Sequence, residues 1–183
     1  MGLFRKIFKK IGVMIANSSY ENKLKYLRAQ GTKIGDHTRL NCSVEGFGVE
    51  PYLITVGENC LFAAEVSFFT HDGGVKVLSD LNYFDGNRMD IVASIKVGNN
   101  VYIGTGAYIL PGVTIGDNCI IGAAAVVTRD IPDNSVAVGI PARVIRTIDD
   151  YYENAVSKGC LYPTARMSAV EKKTYFMEHI RDI

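Results

Sequence analysis

The chain has 183 residues, of which 20 are basic and 19 acidic, so its formal net charge at pH 7 is +1. This balance argues against a nucleic-acid-binding protein, and the length suits one domain with a short appendage. The four cysteines show no Cys-x-x-Cys spacing, which argues against disulfides and metal sites and favours a cytoplasmic location.

Residues 1–30 are predicted to be helical, with a polar break at 17–19 and an end at Gly31. Within residues 1–16, apolar residues recur at helical spacing with basic residues between them. The apolar residues are Leu3, Phe4, Ile7, Phe8, Ile11 and Ile15, and the basic ones are Arg5, Lys6, Lys9 and Lys10. The apolar run is too short for a signal sequence or a membrane span.

Two interpretations of this amphipathic helix stay open. Either it packs against the domain that follows, or residues 1–16 lie on an anionic membrane surface as a peripheral anchor. We favour packing, because the open end of a stack of β-strands needs a cover.

β-branched aliphatic residues recur at every sixth position between residues 97 and 127, and glycine follows four of the six. The six residues are Val97, Ile103, Ile109, Ile115, Ile121 and Val127. A period of six fits neither an amphipathic helix nor a long alternating strand. It predicts short parallel strands with a turn after each, wound so that the same position always points inward.

Weaker six-residue repeats (hexads) begin at Ile34 and resume at Val56. Between them the repeat loses its register across residues 45–55, which are called the slipped segment below. Val56 and Val97 are 41 positions apart, which is not a multiple of six, so a segment between them must leave the coil. The candidate is 71–91, which is called the excursion below. After residue 148 we expect helices, one of them opened by a Ser-x-x-Glu capping box at 168–171. The predicted organisation is a helical segment 1–30, a coil domain 31–148 and a helical tail 149–183.

Longer motifs carry a resemblance to a known family. Ile109-Leu-Pro-Gly-Val-Thr-Ile-Gly-Asp-Asn118 and the neighbouring stretches 95–105, 121–132 and 138–146 resemble the hexapeptide-repeat sugar O-acetyltransferases of the maltose, galactoside and nodulation type. The Thr-His-Asp-Gly-Gly motif at 70–74 is similar to the branch that modifies capsule and surface polysaccharides. The resemblance covers about residues 54–148. It implies an all-β core, a left-handed parallel β-helix with three hexads per coil, and acetyl-CoA as donor.

His71, where the coil breaks, is the candidate catalytic residue. A neutral imidazole is a suitable general base near pH 7. Two glycines, Gly73 and Gly74, follow shortly after His71 and let the backbone approach a ligand closely. The resemblance implies that His71 takes the proton from an acceptor hydroxyl that attacks acetyl-CoA directly, without an acyl-enzyme. Asp72 either orients the imidazole or serves only the loop structure.

The resemblance also implies which residues bind acetyl-CoA. They are Thr105, Ala123, Thr128, Arg129, Arg143 and Arg146. The last two match a basic pair that faces the nucleotide phosphates, and the guanidinium group suits phosphate through its two parallel N–H donors.

The acceptor site departs from the maltose-type pattern. Arg39 stands about where those enzymes place an asparagine, and Phe47 about where they place an acidic residue. The excursion must therefore build a different pocket, and Tyr83, Asp85 and Asn87 are its candidate substrate-binding residues together with Arg39.

The favoured acceptor is a sugar hydroxyl, in a small molecule or a glycan of surface or capsular polysaccharide biosynthesis, and the resemblance implies a homotrimer. N-acetylation of an amino sugar is the alternative activity, and a purely structural assembly subunit is the non-enzymatic alternative. The same fold hosts zinc-dependent carbonic anhydrases, which need three histidines on one zinc ion. Only His71 is well placed here, so we expect no metal.

Overall fold

The computed structural model describes residues 2–180, and in the first helix it describes the side chains of residues 7, 8 and 10–16. Five residues of the predicted amphipathic pattern therefore have side chains outside the described part: Leu3, Phe4, Arg5, Lys6 and Lys9. Contacts divide the chain into a large unit, residues 1–148, and a small unit, residues 149–183.

Two helices precede the strands, α1 (Gly2–Ala16) and α2 (Tyr20–Ala29). The hydroxyl of Ser19 accepts a hydrogen bond from the backbone N–H of Asn22 (3.2 Å) and so caps the second helix. Gly31 follows with a φ of 96°, in the left-handed region that only glycine adopts at little cost. The polar break and the glycine end lie where the sequence places them.

Three sheets of short strands form the body of the large unit. The first sheet contains β1 (Lys33–Ile34), β3 (Ile54–Val56), β8 (Ile95–Val97) and β11 (Thr114–Ile115). The second contains β2 (Arg39–Leu40), β4 (Leu61–Phe62), β9 (Tyr102–Ile103), β12 (Ile120–Ile121), β14 (Ser135–Val138) and β15 (Arg143–Thr147). The third contains β5 (Ser67–Phe68), β10 (Tyr108–Ile109) and β13 (Val126–Val127).

From β3 onward the regular coils visit the first, second and third sheets in turn. Each strand pairs in parallel with its equivalent one coil later, as Ile103 pairs with Ile121 and Ile109 with Val127. The connectivity is therefore that of a three-sided parallel coil. Within the described strands of these three sheets, β15 is the one that runs antiparallel to its neighbour, β14.

The predicted inward positions form the core. The six hexad aliphatics between residues 97 and 127 are all at most 3% exposed. Burying each such side chain stabilises the fold by about 1.5–3 kcal/mol. In the early coils three phenylalanines take over, with the Phe68 ring 4.9 Å from that of Phe47 and 5.5 Å from that of Phe62.

The chain turns three corners in each coil, and these corners stack into three edges. Edge one joins the first sheet to the second (57–60, 98–101 and 116–119). Edge two joins the second sheet to the third (63–66, 104–107 and 122–125). Edge three leads from the third sheet back to the first (69–70, 110–113 and 128–130). The ranges are the residues between the strands.

Edge one is built from asparagines in the left-handed conformation. Asn100 and Asn118 have φ near 55°, and the side-chain amide of Asn100 donates to that of Asn118 (2.9 Å). Asn118 donates in turn to Asn134 (3.0 Å). These bonds tie successive coils together along edge one.

The coil is interrupted twice. The slipped segment forms two 3₁₀ turns, Val44–Phe47 and Pro51–Leu53. The excursion leaves through β6 (His71–Asp72), forms α3 (Val75–Asp80) and returns through β7 (Ile91–Val92), which pairs antiparallel with β6.

The small unit contains most of α4 (Ile148–Ser157) and all of α5 (Ala169–His179). Ser168 and Glu171 form the predicted capping box, with Oε2 of Glu171 accepting from the Ser168 N–H at 2.7 Å. The Tyr162 ring packs edge-on against that of Phe176 (5.4 Å). Among the described residues no helix is both long and apolar enough to cross a membrane.

Candidate functional site

His71 is held by a carboxylate at the point where the excursion begins. Its Nδ1 lies 2.9 Å from Oε2 of Glu50, and the same oxygen accepts a hydrogen bond from the hydroxyl of Thr70 (2.6 Å). The imidazole is 47% exposed, and the Glu50 side chain is 22% exposed. The hydrogen bonds from Thr70 and, second, from His71 lower the pKa of Glu50 below its usual value.

This contact determines which ring nitrogen can act as a base. An ionised carboxylate only accepts hydrogen bonds, so the neutral imidazole carries its proton on Nδ1. The Nε2 lone pair is then the one that remains available to accept a proton. The contacts with Glu50 and Thr70 are therefore compatible with an imidazole that accepts a proton at Nε2.

Glu50 was not predicted, and the expected partner of His71, Asp72, is engaged elsewhere. Oδ1 of Asp72 accepts a hydrogen bond from the backbone N–H of Gly74 (2.8 Å), which stabilises the turn into α3. In an extended β6 the side chains of residues 71 and 72 point to opposite sides. The loop-structure interpretation of Asp72 is the one that its contact supports.

Two of the residues matched to acetyl-CoA binding lie along edge two. Thr105 and Ala123 are stacked one coil apart, with the N–H of Ala124 donating to the carbonyl of Thr105 (2.8 Å). Both side chains are exposed. A Cβ on Gly104 would lie 2.5 Å from the backbone nitrogen of Ala123, so this close stacking requires glycine. Edge two therefore offers a row of small residues and accessible backbone.

Arg143 lies close to the same row. Val138 lies next to Gly122 of edge two in the adjacent strand, and Arg143 pairs with Val138. A one-residue bulge in β15 then brings Arg146 opposite Val136. Residues 136 and 138 share one side of their strand, so the two arginines also share a side although they are three residues apart. The bulge thus places Arg143 and Arg146 on the same side of β15.

Thr128 and Arg129 lie on edge three, and His71 follows directly after residues 69–70 of the same edge. The N–H of Phe69 donates to the carbonyl of Ile109 (2.9 Å), and that of Leu110 donates to Val127 (3.0 Å). Thr128 therefore stacks two coils, or about 10 Å, from Phe69. Thr128 and Arg129 are both exposed. The predicted cofactor residues of one chain are thus divided between two edges.

The width of the third sheet separates the two edges. Ala64 on edge two and Thr70 on edge three are six residues apart, roughly 15–20 Å at about 3.3 Å per residue. A base and its reacting group must approach within hydrogen-bond distance, about 3 Å. His71 therefore cannot serve edge two of its own chain in this conformation.

A polar groove opens on edge two below Thr105. The N–H of Gly106 donates to the carbonyl of Ala64 (3.0 Å), so Ala64 continues the stack formed by Thr105 and Ala123. The groove around Ala64 is called the acceptor groove below. Its polar lining residues are Asn41, Ser43, Glu45, Glu65, Ser67 and Tyr108.

The acceptor groove carries two carboxylates and an aromatic ring. The side-chain amide of Asn17 donates to Oε2 of Glu45 (2.9 Å) and lowers the pKa of that carboxyl. Tyr108 packs edge-on against Phe69, with ring centroids 5.6 Å apart, and remains 45% exposed. Carboxylates, an amide and an aromatic ring suit a ligand rich in hydroxyl groups.

The four residues predicted to bind the acceptor do not line this groove. Arg39 is exposed on β2 of the second sheet, whereas Tyr83, Asp85 and Asn87 lie in the excursion beyond α3. The side-chain amide of Asn87 donates to the carbonyl of Phe84 (3.0 Å). Phe47, which replaces an expected acidic residue, is fully buried and fills the core.

Three of the four cysteines are buried, and burial disfavours their thiolate forms. Burial raises the pKa of Cys42 to about 11 and also raises the pKa values of Cys60 and Cys119. Cys160 is exposed in the small unit, and all four thiols are free. The described part of the chain contains no group of three or more His, Cys, Asp or Glu side chains that could hold a metal ion.

Comparison with known proteins agrees with the fold and the motifs. Residues 94–129 match the family model for the bacterial transferase hexapeptide (six repeats). Protein CapG of Staphylococcus aureus is 38% identical over 179 residues, which are 97% of each chain. Galactoside O-acetyltransferase of Escherichia coli K12 is 46% identical over 102 residues, which are 56% of this chain and 48% of that protein.

A solved structure extends the agreement to three dimensions. Galactoside acetyltransferase in complex with coenzyme A superposes with a TM-score of 0.53 and 27% identity, covering 80% of this chain and 82% of that one. The chain therefore belongs to the bacterial hexapeptide-repeat transferase family, and the predicted resemblance to sugar O-acetyltransferases and the prediction of an acyltransferase are confirmed.

Proposed function

We propose that the protein transfers an acetyl group from acetyl-CoA to a hydroxyl group of a sugar. The observation that carries this proposal is the contact between His71 and Glu50, which leaves Nε2 of a neutral imidazole as an exposed base. In the proposed reaction Nε2 takes the hydroxyl proton while the acceptor oxygen forms a bond to the thioester carbonyl carbon. The carbon–sulfur bond then breaks, and the imidazolium returns the proton to the departing thiolate.

Edge two supports the placement of acetyl-CoA. In this proposal its extended arm lies against Ala123 and Thr105, and its phosphates lie near Arg143 and Arg146. The small exposed side chains leave room for the arm. Successive coils, spaced about 4.8 Å apart, form a continuous surface from the arginines to Ala64. This placement brings the thioester group at the end of the arm to the acceptor groove.

The acceptor sugar is placed in the acceptor groove. The carboxylates of Glu45 and Glu65 can accept hydrogen bonds from sugar hydroxyls, and the exposed face of Tyr108 can stack on a sugar ring. The same carboxylates also suit a protonated amine, so N-acetylation of an amino sugar is the second candidate. Arg39, Tyr83, Asp85 and Asn87 remain candidates for contacts to more distant parts of a glycan.

A homotrimer would complete the site. Thr128 and Arg129 lie on edge three and His71 directly follows its residues 69–70, whereas Thr105 and Ala123 lie on edge two with Arg143 next to it. The third sheet lies between the two edges. If edge three of one copy faces edge two of the next, the base meets the acceptor groove. A closed threefold ring repeats this heterologous contact three times.

Three further features belong to the proposal. The coil is left-handed, as the family resemblance implies. The enzyme acts in the cytoplasm, where its cysteines stay reduced. Its product enters a surface or capsular polysaccharide, which the Thr-His-Asp-Gly-Gly motif at 70–74 supports.

The test is release of CoA thiol from acetyl-CoA in the presence of neutral sugars, amino sugars, nucleotide sugars and serine. Wild-type protein is compared with His71→Ala, which we expect to lower turnover by about 10²–10⁴ while the affinity for acetyl-CoA stays the same. Preference for an amino sugar would replace O-acetylation by the second candidate. Near-wild-type turnover of His71→Ala would remove His71 from the mechanism.

A further inference from the structure

The apolar face of α1 points away from the domain. Its members Ile7, Phe8, Ile11, Met14 and Ile15 are all between 42% and 70% exposed. The described side chains of α1 that pack on the core are Val13 and Ala16. Ile7 and Ala16 are nine residues apart, or about 180° around a helix with 3.6 residues per turn. The helix thus packs on the domain through the side opposite to its apolar face, and the apolar face stays uncovered.

The same helix concentrates positive charge. Residues 1–16 contain Arg5, Lys6, Lys9 and Lys10, and the first acidic residue of the chain is Glu21. Four of the 20 basic residues and none of the 19 acidic ones lie in this segment, so residues 17–183 carry a formal net charge of −3. The formal net positive charge of the chain therefore comes from the helix that also exposes an apolar face, although 16 basic residues lie elsewhere.

We propose that α1 binds the surface of an anionic lipid bilayer and anchors the protein there as a peripheral membrane protein. An apolar face with basic residues beside it enters the boundary between headgroups and acyl chains, while the cations meet anionic headgroups. A second copy of the chain is a poorer occupant, because a twofold contact through this face would bring two basic helices together. The inference is independent of the acetyltransferase activity.

The experiment is sedimentation of the full-length protein with vesicles of phosphatidylcholine alone or of phosphatidylcholine mixed with phosphatidylglycerol. We expect binding to the anionic vesicles to exceed binding to the neutral ones by at least about tenfold, and to weaken as salt is added. Phe8→Ser/Ile11→Ser removes part of the apolar face, and Lys9→Glu/Lys10→Glu reverses two charges. Each double variant should lower binding by about tenfold or more.

Matched controls come from exposed positions in the small unit. Val170 and Met177 are 76% and 65% exposed, and Lys158 and Lys173 are also exposed. Val170→Ser/Met177→Ser and Lys158→Glu/Lys173→Glu should bind vesicles like the wild type. Circular dichroism and light scattering of every variant establish fold and size.

Equal recovery of wild-type protein with both kinds of vesicle would overturn the proposal, and so would equal losses in the control variants. A change of oligomeric state in Phe8→Ser/Ile11→Ser, without vesicle binding by the wild type, would assign the face to a contact between copies. The lipid and salt dependence is measured on the wild-type protein. It therefore tests the proposal even if one of the variants does not fold.

Discussion

Glu50 Oε2 lies 2.9 Å from His71 Nδ1, although 21 residues separate the two side chains in the sequence. The contact arises because the slipped segment lengthens one coil. A Cβ on Gly48 would lie 3.2 Å from the carbonyl oxygen of Phe68, so residue 48 stacks on residue 68, twenty positions later. Glu50 consequently reaches Thr70 and His71, so the irregular part of the coil supplies the carboxylate partner of His71.

Replacing Glu50 by glutamine tests its role as a positioning residue. The amide keeps the shape but loses the negative charge that favours the imidazolium, so we expect kcat to fall by about 10–10². The acid side of the pH–rate profile should also change. Because its hydrogen bonds hold the pKa of Glu50 below the usual value, the wild type keeps a charged carboxylate there that the variant lacks. Steady-state kinetics from pH 5 to 9 measure both effects (about one decade of rate for each 1.4 kcal/mol).

Glu58→Gln is the matched control, because Glu58 is an exposed carboxylate on edge one. It should leave both the rate and the pH profile unchanged. A Glu50→Gln enzyme that loses turnover without any change in its pH profile would indicate a purely structural carboxylate.

Removing both arginines of β15 tests the phosphate contacts. Arg143→Ala/Arg146→Ala should weaken acetyl-CoA binding, because each charge-assisted hydrogen bond contributes about 1.5–3 kcal/mol. Isothermal titration calorimetry measures the loss. Lys158→Ala/Arg166→Ala removes two exposed cations from the small unit and should bind acetyl-CoA normally. Unchanged affinity in the Arg143/Arg146 variant would take β15 out of the donor site.

The regular coils could be predicted because the position that points inward is occupied by an aliphatic residue in every six-residue repeat. Ile103, Ile109 and Ile121 stand six or a multiple of six apart, and each is fully buried. The same argument found the excursion, since a segment that leaves the coil breaks the period. It could not find α3 or the β6–β7 pairing, because a lost period says nothing about what replaces it.

Contacts made by irregular segments left no comparable signal. Glu50 lies where the hexads slip, so no periodic argument could align it with His71. The bulge in β15 reverses the side on which Arg146 would otherwise stand, which alternation along a strand cannot predict. Stacking of regular coils did place Thr105 beside Ala123, because they are one coil of eighteen residues apart.

Alkylation of cysteine tests whether the transfer is direct. Cys42, Cys60 and Cys119 are buried with raised pKa values, and Cys160 is exposed. Iodoacetamide should therefore modify Cys160 alone in the native protein and all four thiols after denaturation. Mass spectrometry counts the adducts. The native, singly modified enzyme should retain full turnover, whereas inactivation that also occurs in the Cys160→Ser variant would indicate a cysteine acyl-enzyme.

Complementation between two inactive variants tests whether the site is shared between copies. His71→Ala damages edge three and leaves edge two intact, whereas Ala123→Trp blocks edge two with an exposed bulky side chain and leaves His71 intact. Each variant alone should be nearly inactive. In trimers reassembled at random from equal amounts, about one quarter of the sites would combine an intact edge three with an intact edge two from the neighbouring copy.

Turnover of the reassembled mixture, with light scattering to establish its size, measures the effect. We expect recovery to about one quarter of wild-type activity, because each site draws its base from one chain and its donor edge from another. The double variant His71→Ala/Ala123→Trp is the control, since mixing it with either single variant creates no intact site. If the mixture of the two single variants stays inactive while wild-type protein survives the same reassembly, then His71 and edge two of the same chain form the site. The two edges, roughly 15–20 Å apart here, would then have to approach by a large rearrangement of the third sheet.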